Sequence, residues 1–302
     1  MEVLGRLVAL LVVLLLGTGL RASGVLTAGR TARLNAVAYY IALPALLFVS
    51  TYDQAIGQLL SPALFLGLLF VLFTTVGIAW LVHRNRDSKG RQSVAVIQSY
   101  HSNIGYLGVP LIAATFDPAV TAIASVILGV VTLAQLPLSV LILSTLNGAD
   151  AALGPKLRGL AKNPVLLSLL VGLTVGSVGL SVPGPAATGL DAVGSLALPL
   201  ALLCVGASLE IDLPAIDYGA TGSVVALKIV CMPALAWIVF SALAVDTATF
   251  TAAVVMFATP TAVSTFVFAA ELGGDTEFAS LNVFVTTLVS MGSLFLLISL
   301  VG

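Results

Sequence analysis

Charge is what this sequence has least of. Of its 302 residues, 12 are Lys or Arg and 13 are Asp or Glu, 8% in all; a soluble domain carries about 25%. So few charges cannot clothe a water-facing globular surface. There is no basic tail or nucleic-acid motif, so no nucleic-acid partner is expected. Cysteine is scarce as well: Cys204 and Cys231 both lie inside apolar runs, which leaves no disulfide framework and no metal site. Metal-ligand clusters, nucleophile elbows and phosphate loops are missing too. Neither an enzyme nor a cofactor is expected. What the chain has in quantity is apolar surface, at 59% hydrophobic residues and a mean hydropathy of +1.16.

About 20 apolar residues cross a bilayer as a helix, and unpaired backbone groups exclude open sheet from hydrocarbon. The expected fold is therefore an all-α membrane protein. Ten apolar runs are legible, near 3–21, 32–51, 61–83, 92–116, 119–146, 163–181, 187–209, 218–243, 248–270 and 277–300. Arg6 ahead of Leu7–Leu16 resembles a signal peptide, but Leu20-Arg21-Ala22 is a poor cleavage site, so the run reads as a first span. Basic residues gather in odd loops: Arg21, Arg30 and Arg33, then Arg84, Arg86, Lys89 and Arg91, then Lys156, Arg158 and Lys162. The positive-inside rule then puts the odd loops in the cytoplasm and both termini outside the cytoplasmic membrane.

The two halves repeat. Leu34-Asn35-Ala36-Val37 leads into Ala42-Leu43-Pro44, and Leu190-Asp191-Ala192-Val193 leads into Ala197-Leu198-Pro199. This predicts repeats over 1–150 and 151–302, five spans each. An odd number of spans inverts the second copy, a recurring device of alternating-access transporters.

Two spans carry residues that a plain membrane helix avoids. The fourth contains His101, Ser102, Asn103, Gly105 and Tyr106 ahead of Pro110; the ninth contains Thr259, Pro260, Thr261, Ser264 and Thr265. At 1.5 Å per residue, Asn103 and Pro260 lie about 16–18 Å from their own ends of the spans, near the midplane. Proline removes a donor and glycine loosens the helix, so both helices should break at one depth. The second half of a broken helix opens with free N–H groups and a partial positive charge, suited to a carboxylate. Ser102, Asn103, Thr261, Ser264 and Thr265 are expected to cap the freed backbone or bond the ligand.

Every Asp and Glu falls in a loop or near a span end, whereas Lys228 lies deep in the eighth span. An ammonium about 15 Å into a span costs at least ~2.5 kcal/mol unless paired or hydrated. It either faces a wet cavity or bonds carbonyls freed by a broken neighbour. His101 is the other titratable group at depth, a candidate for proton coupling or a hydrogen-bonded packing residue. With no midplane carboxylate, the electrostatics favour an anion over a cation.

These residues resemble the auxin efflux carrier family, which includes bacterial malonate and malate permeases. The matching stretches are LNAVAYYIALPALLF (34–48), SNIGYLGVPL (102–111), NPVLLSLLVGL (163–173), LALPLALLCVGASL (196–209), LKIVCMP with Lys228, and ATPTAVSTFVFAAE (258–271). The resemblance implies a ten-helix fold like that of sodium/proton antiporters, with two inverted five-helix repeats. Spans 1, 2, 6 and 7 would form a scaffold; spans 3–5 and 8–10 would form a transport domain whose fourth and ninth helices cross at their breaks. Asn103 stands at the family's crossover asparagine, and Pro110 and Pro260 match family prolines. Thr265 replaces a second proline of plant members, and the short fifth loop lacks their long regulatory segment. The expectation is a secondary transporter of a small organic anion, a carboxylate or auxin-like molecule, embedded in lipid. Pro44, Pro199 and Lys228 would have structural roles, and a homodimer is one open assembly. A cation-coupled (Na⁺ or H⁺) symporter and a non-transporting membrane sensor are the alternatives.

Overall fold

Backbone groups that leave water have to pair within the chain, and this chain does so almost wholly as helix. The computed structural model describes residues 2–86, 88–149, 153–208 and 218–301. Among them there is one isolated β-bridge and no strand. Besides two short helices in connections (Ile56–Leu59 and Leu153–Ala161), the helices, in order, are α1 (Glu2–Ala22), α2 (Ala28–Val49), α3 (Pro62–His83), α4 (Lys89–Gln98), α5 (Ile104–Thr115) and α6 (Pro118–Asn147). After them come α7 (Pro164–Val178), α8 (Gly184–Ala207), α9 (Gly219–Ala242), α10 (Thr247–Ala258), α11 (Ser264–Glu271) and α12 (Thr276–Val301). Six of these, α2, α3, α6, α8, α9 and α12, are long and apolar enough to cross a membrane. The fourth and ninth apolar runs are each divided into two helices, α4 with α5 and α10 with α11. The join between the two halves at 150/151, and the end of the seventh run with the loop after it (209–217), lie outside the described residues.

Local chemistry sets the starts. Ser61 accepts from the Leu64 N–H, Asn163 from those of Val165 and Leu166, and Asp246 from that of Thr249. Each satisfies donors that have no partner in the first helical turn, and Pro62 and Pro164 sit at first positions where no N–H is needed. Inside the helices proline acts differently. Three π turns, Ala38–Ala42, Ile104–Gly108 and Ala226–Cys231, each end two residues before a proline: Pro44, Pro110 and Pro233. The missing N–H and the clash with the preceding carbonyl are relieved by widening that turn rather than by ending the helix.

The polarity is that of a chain solvated by lipid. Leu66, Phe70, Ile238 and Leu296 are exposed, while Thr75, Gln98, Ser99, Ser139, Asn282 and Ser290 are buried. Helices approach closely where residues are small: a Cβ at Gly206 of α8 would strike the Leu14 carbonyl of α1, and one at Gly172 of α7 would strike Thr51. At one end of the bundle, the α3–α4 connection, the end of α6 and the α11–α12 connection meet. Arg91 pairs with Asp275 at 3.7 Å, and Asn147 donates to the Leu272 carbonyl at 2.9 Å. At the other end the Ile56 N–H donates to Ser177 at 3.1 Å.

Candidate functional site

The two helix breaks meet. Residues 99–103 and 259–263 run antiparallel, with Ser102 bridged to Thr261. The Asn103 N–H donates to the Pro260 carbonyl at 2.8 Å, and the Ala262 N–H donates to the His101 carbonyl at 2.9 Å. Each break thus supplies part of what the other lacks, which lets non-helical backbone sit inside the protein. Ser102 points its own backbone groups away from Thr261, and Gln135 of α6 receives them. Its amide oxygen accepts from the Ser102 N–H at 3.1 Å and its amide nitrogen donates to the Ser102 carbonyl at 3.2 Å. A side chain here does the work of a third strand.

Carbonyls left at the end of α10 are met as well. Lys228, fully buried in the π turn of α9, donates its ammonium to the Phe257 carbonyl at 2.8 Å and lies 3.4 Å from Met232 Sδ. Carbonyls of a last turn carry partial negative charge, so a cation there is well matched. Thr259 donates to the Met256 carbonyl at 2.8 Å. The crossing is tight: a Cβ on Gly108 would lie 2.7 Å from Met256 Sδ.

Beside the crossing lies a cavity of about 140 Å³. His101, Ser102, Asn103, Gly105, Tyr106 and Ser264 line it, with Tyr39, Thr132, Gln135 and Asn163 from neighbouring helices. The lining holds no Asp, Glu, Lys or Arg. Asn103 is 4% exposed, yet its side-chain amide makes no hydrogen bond among the described residues and is not sealed by protein. The starts of α5 and α11 open onto the same space, and no side chain caps either. The N–H groups of Ile104, Gly105, Tyr106 and Ser264 have no partner among the described residues, whereas those of Thr265 and Phe266 already donate to the Ala262 and Val263 carbonyls; both helix dipoles present their positive ends.

Of the residues singled out in the sequence, Thr259, Thr261 and Thr265 are not in the lining. The Thr261 hydroxyl donates to the His101 carbonyl, and the Thr265 hydroxyl donates to the Ala262 carbonyl at 2.6 Å while accepting from Gln98 at 3.0 Å. Pro110 sits in the middle of α5 just after its π turn, Pro260 supplies a crossing carbonyl, and Pro44 of α2 and Pro199 of α8 are not in the cavity lining. Sequence reasoning missed Gln135, Tyr39, Thr132 and Gln98. A glutamine in the middle of an apolar run was the available signal for Gln135 and Gln98.

A family model described as "Membrane transport protein" matches residues 2–298. A candidate malonate transporter of Rhizobium meliloti is 26% identical over 269 residues, 86% of this chain and 83% of that protein. An uncharacterized transporter of Methanothermobacter thermautotrophicus is 26% identical over 289 residues, 95% of this chain and 94% of that protein.

Proposed function

The chain belongs to the membrane transport protein family, that of the auxin efflux carriers, and from that premise we propose that it is a secondary transporter moving a small organic anion, a carboxylate, across the cytoplasmic membrane. The observation that carries this is the uncharged cavity at the crossing, where a free Asn103 amide and two uncapped helix starts converge. A carboxylate entering it accepts from Asn103 and from the unpaired N–H groups at the starts of α5 and α11, those of Ile104, Gly105, Tyr106 and Ser264. Hydrogen bonds to an ionised acceptor are roughly twice as strong as neutral ones, and no fixed carboxylate opposes the charge. The volume suits a solute of a few heavy atoms, being below the roughly 300–1,000 Å³ of drug-sized sites. The malonate in one relative's name has that size and charge.

In this reading the chain crosses the membrane ten times as two inverted five-helix repeats. Support comes from the paired breaks and from the gathering of the third, fifth and ninth loops at one end, opposite the second and sixth. Helices α1, α2, α7 and α8 form the scaffold, and the remainder carries the cavity past it to alternate access, a step taken from fold analogy. Purified protein in proteoliposomes, offered malonate, malate, amino acids and indole acetate in turn, tests the proposal. Saturable flux of a carboxylate is expected. Flux of a neutral or cationic solute alone would refute it.

A further inference from the structure

We propose that His101 is a neutral hydrogen-bond donor to the transported anion, with Nε2–H facing the cavity and the tautomer set by a relay from Tyr100 through Ser139. This rests on the reading of the cavity as the substrate site and gives the imidazole a role there other than carrying a proton.

Tyr100 is fully buried, and among the described residues its hydroxyl has one partner, Ser139 Oγ at 2.9 Å. The same Ser139 oxygen lies 2.7 Å from His101 Nδ1. Three orders are available. In the first, Tyr100 donates to Ser139 and Ser139 donates to Nδ1, so every hydrogen is used and the ring proton sits on Nε2. In the second, Nδ1–H donates to Ser139 and Ser139 donates to Tyr100, which leaves the Tyr100 hydrogen buried with no acceptor. In the third, Ser139 accepts from both Tyr100 and Nδ1–H, which leaves its own hydrogen without an acceptor among the described residues. An unmade bond of that kind disfavours the second and third orders by roughly five- to a hundred-fold. An imidazolium carries hydrogen on both nitrogens and so also requires one of those two orders. The relay therefore opposes the charged ring as well as the other tautomer.

The other nitrogen is placed to be used. Nε2 has no partner among the described residues, yet it is not enclosed by protein, and His101 is part of the cavity lining. The residue is held on its backbone side, where its carbonyl accepts from Ala262 at 2.9 Å and from Thr261 at 3.3 Å. Phe268 lies against the ring with centroids 6.0 Å apart. The charged or titratable groups around it are Tyr100, Lys228 and, in the lining, Tyr39 and Tyr106; no carboxylate is among the lining residues. His101 thus adds a fixed donor two residues before Asn103, on the same extended segment. Ser139 and Tyr100 are positioning residues, acting through the ring.

The chain has 2 histidines, so nitrogen NMR of histidine-labelled protein in liposomes reads the tautomer directly, with His83→Gln assigning the signals. The expected spectrum shows bare Nδ1 and protonated Nε2 at neutral pH, with the Nε2 signal shifting on addition of malonate. Ser139→Ala should mix the tautomers and Ser139→Thr should restore one. In flux measurements His101→Ala should raise KM about tenfold or more, and His101→Gln, which keeps an N–H, should recover most of that loss. A protonated Nδ1, in either charge state, overturns the proposal whatever the flux. So does an Nε2 signal that ignores malonate at concentrations that saturate transport. Failure of wild-type protein to move any anion would instead refute the transport reading and take the donor role with it, while the ligand-free spectrum would still decide the tautomer.

Discussion

Replacing Gln135 with leucine should strip the crossing of its third edge. Ser102 has its N–H and carbonyl turned toward that amide, at 3.1 and 3.2 Å, and is itself fully buried. Leucine nearly matches the volume and offers neither a donor nor an acceptor. A buried backbone group left without a partner costs about 1–3 kcal/mol, so the two together cost about 2–6 kcal/mol if both stay dry. Water reaching Ser102 from the adjoining cavity would bring the loss toward the lower figure. The nearby volume-conserving change Leu138→Met should cost under ~1.5 kcal/mol. Unfolding of the purified protein in detergent, followed by tryptophan fluorescence, measures both variants. A Gln135→Leu variant within about 0.5 kcal/mol of wild type would show that the crossing does not depend on this pairing and would refute the reasoning.

Lys228→Met should lower thermal stability by about 1–3 kcal/mol, because the Phe257 carbonyl that ends α10 loses its donor; an unchanged unfolding midpoint would argue against that role. Asp246→Ala should cost about 1 kcal/mol by removing the cap of α10. Burial pushes the Asp246 carboxyl up, but the hydrogen bonds from Thr249 and nearby backbone outweigh it and hold it below its ordinary value. The cap's contribution should therefore be complete above the ordinary carboxyl range and be lost as pH falls through the lowered folded value; a variant that narrows its gap to wild type on acidification fits, and a gap constant with pH does not. Single cysteines at Arg84 and Asp53, in a background lacking Cys204 and Cys231, should react with a membrane-impermeant maleimide from opposite sides, Arg84 from the cytoplasm. Labelling of both from one side would contradict ten spans.

Depth along a span can be read from a sequence, whereas direction around a helix is far harder. That difference separates what was legible from what was not. Asn103 and Pro260 stand at equal depth in runs broken by glycine and proline, and the structure joins them by a backbone hydrogen bond. For Lys228 the same counting left two environments open, a cavity or a freed carbonyl, and only packing between α9 and α10 selects Phe257. Thr261 and Thr265 share the depth of the cavity but face His101 and Gln98 instead. Gln135 acts across 33 positions of chain on Ser102, a pairing that no local pattern encodes. The prolines show the same division: Pro44, Pro110 and Pro233 announce that ordinary helix cannot continue, but not that the preceding turn widens and carries on.

The anion's seat is tested most directly by Asn103→Ala, measured in parallel for carboxylate flux and for unfolding. Its amide has no partner among the described residues, so stability should change little, while losing a donor to a charged group should raise KM about tenfold or more. An unchanged KM alongside intact stability would mean that the carboxylate binds somewhere else.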